Sequence, residues 1–168
     1  MPLLRGAVRP RKTPSMALKV FISYASPDLG VVNFVKSMLE VAPVEVYVAE
    51  YDLPPGVSIT PALLVKIKEC DLFIVLWSMN SCASEWVLQE IGAARSQGKT
   101  IIPVMLQQGL KPPGFISDLK FLDVPRNPEA AFAWLRENVL TRASAKQKQE
   151  GVGVLAVFGA LLWLLSRK

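Results

Sequence analysis

The stretch DLFIVLWS, from Asp71 to Ser78, decides the fold class of this chain. Its central run, from Leu72 to Trp77, contains only apolar and aromatic residues. Such a run is typical of a parallel strand that is buried on both faces, because helices cover both sides of a parallel sheet. The stretch therefore predicts a central strand of an α/β protein.

On both sides of this stretch, short apolar runs alternate with segments of helical spacing. The other strand candidates are residues 20–22, 44–48, 100–106 and 121–124. The helix candidates are residues 29–41, 58–69, 84–97 and 128–140. Strands that alternate with helices are joined by right-handed crossovers into a parallel sheet. The order of these segments predicts one α/β domain over residues 19–140, built on five strands.

The composition excludes several kinds of catalytic site. The chain has 168 residues, two cysteines and no histidine, which excludes Ser-His-Asp catalysis, Cys-His catalysis and a histidine-ligated zinc ion. Two cysteines alone cannot complete a four-ligand zinc site, so we expect no metal. The residues after the first strand, Tyr24-Ala25-Ser26, lack the acidic pair of a phospho-receiver domain, and no glycine-rich phosphate loop is found in the sequence.

The positive charge of the chain lies outside the predicted domain. The formal net charge is +5, yet residues 19–140 hold ten basic and thirteen acidic residues. A nucleic-acid-binding face needs basic residues concentrated on the folded part, so we expect no nucleic-acid partner. Residues 1–18 hold four basic residues, no acidic residue and three prolines. We interpret this segment as a disordered basic arm.

The C-terminal part of the sequence combines a charged segment with an apolar one. We interpret residues 141–150 as a linker, and residues 151–165 form an unbroken run of apolar residues and glycines. A helix over this run would be about 22 Å long, against about 30 Å for the hydrocarbon core of a bilayer. Snorkelling of Arg167 and Lys168 would cover the difference. We therefore expect an apolar C-terminal helix that crosses a membrane over residues 151–166; a buried terminal helix is the alternative.

The expected orientation of this helix follows from the charges that precede it. Arg142, Lys146 and Lys148 lie just before the apolar run. Basic residues beside a membrane span favour the cytoplasmic side. The expected localisation is thus the membrane, with a single-pass C-terminal anchor and the folded domain in the cytoplasm.

Glu90 is the candidate catalytic residue. In a projection of helix 84–97 with Trp86 at the origin, Glu90 falls at about 40°, inside an apolar arc that extends from Trp86 to Ile91 at about 140°. A carboxylate on the inward face of a helix loses its hydration and needs a partner or a purpose. The alternative to a catalytic role is a structural ion pair with a lysine such as Lys99.

Five segments, taken together, resemble the Toll/interleukin-1 receptor (TIR) domain family over residues 19–140. The segments are VFISY (20–24), DLPPG (52–56), DLFIVLWS (71–78), SEWVLQEI (84–91) and KTIIPV (99–104). The run Ser84-x-Trp86-Val87-x-x-Glu90 is similar to that of prokaryotic, NAD-cleaving TIR domains. The resemblance implies a flavodoxin-like, doubly wound, five-stranded parallel sheet with helices on both faces.

The resemblance also implies a set of site residues. It implies that Glu90 is the catalytic residue. The substrate-binding positions that it implies are Tyr24, Ala25, Ser26, Glu50, Pro54 and Trp86. For Trp86, the alternative is a packing role behind Glu90, and for Tyr24 it is the packing of an aromatic residue that ends a strand. Because family members self-associate, the resemblance further implies contacts with other TIR domains, including other copies of this chain, through the loop 50–56.

The implied function is that of a TIR-domain NAD⁺ glycohydrolase in defence or stress signalling. Such an enzyme releases nicotinamide and ADP-ribose or a cyclic ADP-ribose isomer, with NAD⁺ as its substrate and without a cofactor. The chemistry suits a site without histidine. Neutral nicotinamide leaves a cationic pyridinium without a general acid, and a single carboxylate can stabilise the oxocarbenium-like transition state.

Two other functions stay open at this point. One is a non-catalytic TIR adaptor that assembles TIR proteins at a membrane. It is favoured by Ala25-Ser26, which stand where some NAD-cleaving relatives carry basic residues. The other is an enzyme that cleaves a different N-glycosidic bond with the same carboxylate.

Overall fold

The computed structural model describes residues 16–48 and 59–165. The strands are β1 (Leu18–Ser23), β2 (Val44–Val48), β3 (Leu72–Trp77), β4 (Thr100–Met105) and β5 (Leu122–Asp123). The helices are α1 (Leu29–Leu39), α2 (Ile59–Glu69), α3 (Met79–Cys82), α4 (Glu85–Ser96) and α5 (Pro128–Leu165). Two short 3₁₀ turns lie at Ser26–Asp28 and Gly114–Ile116.

The five strands form one parallel sheet in the order β2-β1-β3-β4-β5. Every residue of β3 is buried, as its apolar run predicts. β3 lies at the centre of the sheet, where Leu72 pairs with Val20 of β1 and with Thr100 of β4. The doubly wound, five-stranded α/β fold expected from the sequence is confirmed.

The sheet separates two hydrophobic cores. The first, the α1/α5 core, includes Val20 and Ile22 of β1 and Ile74 and Leu76 of β3. The residues that α1 and α5 add to it are Val32, Val35, Leu39, Leu135, Val139 and Ala143. Since side chains alternate along a strand, the neighbouring strand residues face the other side of the sheet.

The second core, the α2/α4 core, lies on that other side. It takes Phe21 from β1 and Phe73 and Val75 from β3, and the rings of the two phenylalanines stack with centroids 5.2 Å apart. The residues that α2 and α4 add to it are Leu63, Ile67, Val87, Ile91 and Ala94. The side chains of α4 that face this core therefore meet the odd-numbered residues of β1.

The last helix is longer than the sequence analysis predicts. Helix α5 runs without a break from Pro128 to Leu165, through the segment 141–150 that we interpreted as a linker. That segment contains no proline or glycine, so nothing in it interrupts the helical hydrogen bonds. Lys146 holds this part of α5 to the domain, because its Nζ donates to Asp71 Oδ2 at 2.7 Å and to the Ala17 carbonyl at 3.0 Å.

The expected membrane anchor is wrong. Over the residues that the structure describes, no helix has both the length and the apolar character that crossing a bilayer requires. The physical reason lies in the length of the apolar run. At about 22 Å it is shorter than the roughly 30 Å hydrocarbon core, and the turns of α5 before it carry Lys146, Lys148 and Glu150. The membrane localisation and the orientation inferred from that anchor lose their basis.

The first fifteen residues of the proposed basic arm lie outside the described residues. The arm was drawn to residue 18, whereas β1 already begins at Leu18. Helix α3, four residues long and placed between β3 and α4, was not predicted. Its N-cap is Ser78, whose Oγ accepts a hydrogen bond from the Ser81 backbone N–H at 3.1 Å.

Candidate active site

Helix α4 presents Glu90 to the interior of the protein. The helix begins after Ser84, whose Oγ accepts a hydrogen bond from the Val87 N–H at 3.3 Å, so this serine is the N-cap of α4. The buried residues of α4 are Val87, Glu90, Ile91 and Ala94. Only 1% of Glu90 is exposed. The helical projection therefore gave the correct orientation of this side chain.

The Glu90 carboxylate is bound by a hydroxyl from the sheet. Ser23, the last residue of β1, donates from its Oγ to Glu90 Oε2 over 2.5 Å. Ser23 is 0% exposed, so both partners are removed from bulk water. A buried carboxylate without donors would be strongly unfavourable, and hydrogen bonds to a charged acceptor are shorter and stronger than neutral ones. This bond joins α4 to the carboxyl end of β1.

A small cavity lies beside Glu90, between α2 and α4. It has a volume of about 50 Å³ and its walls are mostly apolar. The lining residues that matter here are Leu63, Leu64 and Ile67 of α2 with Trp86 and Glu90 of α4. Pockets that hold whole small-molecule ligands have volumes of roughly 300–1,000 Å³. The described walls thus enclose room for only part of a nucleotide, next to the carboxylate.

The structure brings some of the sequence-predicted residues to this cavity and not others. Trp86 lines it beside Glu90 and is 39% exposed. Ser26 is exposed in the 3₁₀ turn that follows β1. Glu50 and Pro54 lie outside the described residues, as does the rest of the loop 50–56.

Tyr24 and Ala25 are buried. Tyr24 packs in the α1/α5 core with Val20 and Ile22, on the opposite side of the sheet from Glu90. Ser23, which the sequence analysis did not single out, is the residue of this segment that meets Glu90. The alternation of side chains along β1 places Ser23 on the same face as Phe21 and Tyr24 on the other face, but it does not tell which face α4 covers.

Lys99, the ion-pair partner considered for Glu90, is engaged elsewhere. Its Nζ donates to the carbonyl of Lys68 at 2.6 Å and to that of Cys70 at 2.8 Å. These carbonyls lie at the C-terminal end of α2, where a cation interacts favourably with the helix dipole. Lys99 also precedes β4, at the amino edge of the sheet, whereas Glu90 meets the carboxyl end of β1.

A second polar cluster occupies the carboxyl edge of the sheet, after β1 and β3. The Asp28 carboxylate accepts hydrogen bonds from Ser78 Oγ at 2.5 Å and from Asn80 Nδ2 at 2.8 Å. Ser81 Oγ donates to the carbonyl of Leu76 at 2.7 Å. These bonds tie the 3₁₀ turn that contains Ser26 to the start of α3.

The cysteines do not supply an activated nucleophile. Burial raises the pKa of the Cys70 thiol to about 11, and its Sγ donates to the Ile67 carbonyl. Partial burial also raises the pKa of Cys82, although that residue is exposed. A reactive cysteine needs a lowered pKa. Within the described ranges, no group of three or more acidic or cysteine side chains is placed to hold a metal ion.

Three solved structures show similarity to this chain. The TIR domain of the Toll-related receptor TRR-2 from Hydra magnipapillata has a TM-score of 0.61 and 22% identity, over 74% of this chain and 97% of that one. The TIR domains of the activated Roq1 resistosome, which recognises the pathogen effector XopQ, have a TM-score of 0.48 and 19% identity, over 79% and 82%. The CMP N-glycosidase BcmB of Clostridium botulinum has a TM-score of 0.45 and 25% identity, over 61% of this chain and 86% of that one.

These likenesses differ in what they support. The similarity to the Hydra domain shows a shared fold, and the two with TM-scores below 0.5 do not bear on function. A comparison with curated proteins found no match. The family described as the TIR domain matches residues 20–136, well over half of the sequence. The chain therefore belongs to the TIR domain family.

Proposed function

We propose that this protein is an NAD⁺ glycohydrolase and that Glu90 is its catalytic residue. The observation that carries the proposal is a buried carboxylate, held by a strand hydroxyl beside an apolar cavity, in a TIR domain. Proteins with an open parallel sheet bind their ligands at the carboxyl ends of the strands. Glu90 lies at that edge, next to the end of β1.

The reaction breaks the bond between the pyridinium nitrogen of nicotinamide and C1′ of the ribose. The electron pair of that bond leaves with the nitrogen, so nicotinamide departs neutral and without protonation. Positive charge develops on C1′ and the ring oxygen, as in glycoside hydrolysis. The Glu90 carboxylate stabilises this charge in surroundings from which water is largely excluded, where a fixed charge has its greatest effect.

The second half of the reaction is the capture of C1′. Water adds to C1′ and loses a proton, which yields ADP-ribose; attack by a nucleophile of the same molecule gives a cyclic isomer. Under this proposal Trp86 and Ser26 contact the substrate outside the cavity, together with Glu50 and Pro54 of the loop 50–56. Self-association through that loop, with TIR domains as partners, is part of the same proposal.

Nicotinamide release from NAD⁺ at high protein concentration tests the proposal. We expect turnover by the wild type and a loss of about 100-fold or more in Glu90→Gln, because the variant keeps the shape of the side chain and removes its charge. Glu85→Gln is the matched control, since Glu85 lies on the exposed side of the same helix. The proposal fails if the wild type releases no nicotinamide, or if Glu90→Gln retains the wild-type rate.

A non-catalytic TIR adaptor is the second candidate. The small volume of the described cavity favours it, as does the absence of a cation in the segment Tyr24-Ala25-Ser26. An adaptor predicts that Glu90→Gln leaves association with other TIR domains unchanged, while replacement of Pro54 weakens it. A substrate panel that includes other N-glycosides separates both candidates from an enzyme that cleaves a different glycosidic bond.

A further inference from the structure

Ser23 is an unusual residue for its position. It ends β1 and faces the α2/α4 core, where its strand neighbour on the same face is Phe21. The side chain is 0% exposed. A hydroxyl in such surroundings is unfavourable unless it is hydrogen-bonded, and the contact that it makes is with Glu90 Oε2.

The strand that carries Ser23 is paired on both sides, with β2 up to Ile22 and with β3 up to Ser23 itself. β1 lies between β2 and β3, and Ser23 itself pairs in register with Val75 of β3. Sites that are built on strands hold their side chains more closely than sites on loops. The oxygen of Ser23 therefore has a fixed position relative to the sheet. Its 2.5 Å hydrogen bond in turn fixes the position of one oxygen of Glu90.

Helix α4 alone leaves the carboxylate less well defined. A glutamate has three rotatable bonds between its Cα and its carboxyl group, whereas a serine hydroxyl lies one bond beyond Cβ. A displacement of about 1 Å at a reacting group reduces a rate by about 100-fold. A short bond from a rigid strand is thus a means of fixing Glu90 against the reacting carbon.

We propose that Ser23 is a positioning residue for Glu90: its hydroxyl holds Oε2 and sets the plane of the carboxylate that faces the substrate. This inference rests on the glycohydrolase function proposed above. Ser23 acts through Glu90 and does not itself touch the reacting atoms. Its removal therefore reduces the turnover number and leaves substrate binding nearly unchanged.

The first test compares Ser23→Ala with Ser23→Thr in NAD⁺ turnover. We expect kcat to fall about tenfold or more in Ser23→Ala, with KM within about threefold of wild type, because only the transition state needs the oriented carboxylate. Ser23→Thr keeps the hydroxyl and is expected to restore most of the kcat. The matched control is Ser81→Ala, because Ser81 is equally buried but donates to the Leu76 carbonyl. A wild-type kcat in Ser23→Ala, or an equal loss in Ser81→Ala, overturns the inference.

The second test is a double-mutant cycle with Glu90→Gln. If Ser23 acts through Glu90, adding Ser23→Ala to Glu90→Gln lowers the residual kcat no further. A second cycle, with Glu90→Leu, which cannot accept the Ser23 hydrogen bond, is followed by thermal unfolding, where the shifts in midpoint are expected to be non-additive. That measurement does not require activity. A wild type without turnover overturns the proposed function and the catalytic part of this inference, whereas additive shifts in midpoint overturn the coupling of Ser23 to Glu90 itself.

Discussion

The two faces of the sheet differ in what they bury. Helices α1 and α5 bury only apolar side chains among their described residues, such as Val35 and Leu135. On the other face, α4 buries Glu90 among apolar residues, and β1 supplies Ser23 to meet it. The α1/α5 core follows the rules of a stable interior throughout, and the α2/α4 core breaks them at one place.

That difference separates stability from chemistry. A buried carboxylate costs free energy even when it is hydrogen-bonded, so packing alone does not account for it. Local departures from good packing are expected at functional sites, where the rest of the fold compensates for them. The α1/α5 core thus supplies stability that offsets the cost of burying Glu90, and the α2/α4 core contains the acid that the proposed reaction needs.

The largest expected effect comes from the α1/α5 core. Leu135→Ala removes a fully buried side chain from α5 and is expected to lower the free energy of unfolding by about 2–5 kcal/mol. The turnover of the protein that remains folded should be unchanged, because this side chain lies across the sheet from Glu90. Urea unfolding and the rate per folded molecule measure the two effects. A fall in that rate would show that the two faces are not separable.

The opposite result is expected at the site itself. The double variant Ser23→Ala, Glu90→Leu replaces the buried polar pair by apolar side chains. We expect it to unfold at higher urea concentration than the wild type, with a gain of about 1–3 kcal/mol, since buried ionic groups are often less stabilising than well-packed apolar ones. It should have no glycohydrolase activity. A loss of stability would mean that the pair contributes to the fold and is not a cost.

An alkaline loss of stability is expected from the other end of the α2/α4 core. Burial raises the pKa of Cys70 from 9.0 to about 11, so between these values the unfolded chain releases a proton that the folded protein keeps. The contribution of this thiol to the free energy of unfolding is therefore complete below pH 9 and decreases as the pH rises towards 11. Thermal unfolding at several pH values measures the slope. Cys70→Ala should reduce it, and an unchanged slope would assign it to other groups.

The smallest effect is expected on the outer side of α4. Arg95 forms an exposed ion pair with Asp118 at 2.8 Å, and such pairs contribute about 0–1 kcal/mol. Arg95→Ala should therefore change the unfolding midpoint only slightly and leave turnover unaffected, although Arg95 lies in the same helix as Glu90. A marked loss of activity would mean that the outer face of α4 takes part in the reaction.

The sequence predicted the sheet well because its signals are local and strong. The apolar run of β3 and the N-cap at Ser84 each specify one element through nearby residues. The inward side of α4 followed from helical spacing alone, which is why Glu90 was placed correctly.

The site residues on β1 were harder to assign. The resemblance drew attention to Tyr24, whereas the alternation of side chains puts Tyr24 and Ser23 on opposite faces of the sheet. Whether Ser23 or Tyr24 points towards α4 depends on which side of the sheet α4 covers. No local pattern in the sequence determines that.

The extent of α5 was underestimated for a different reason. The helix was predicted to end at Leu140, where the apolar spacing used to identify it ends. Residues 141–150 contain no proline or glycine, and within them Ala143 and Lys146 still contact the domain, so the helix continues through this segment. Helical structure therefore continues past Ala143, a fully buried residue of α5.

The continuity of α5 has a mechanical consequence. Beyond Lys146, whose Nζ bonds to Asp71 and Ala17, the helix extends for about another 28 Å. An unbroken helix fixes the rotation of its far end about the helix axis, because each added residue rotates everything beyond it by about 100°. A single alanine inserted after Gln147 would rotate any domain fused to the far end by about 100° about the helix axis. The sheet and Glu90 would be unchanged.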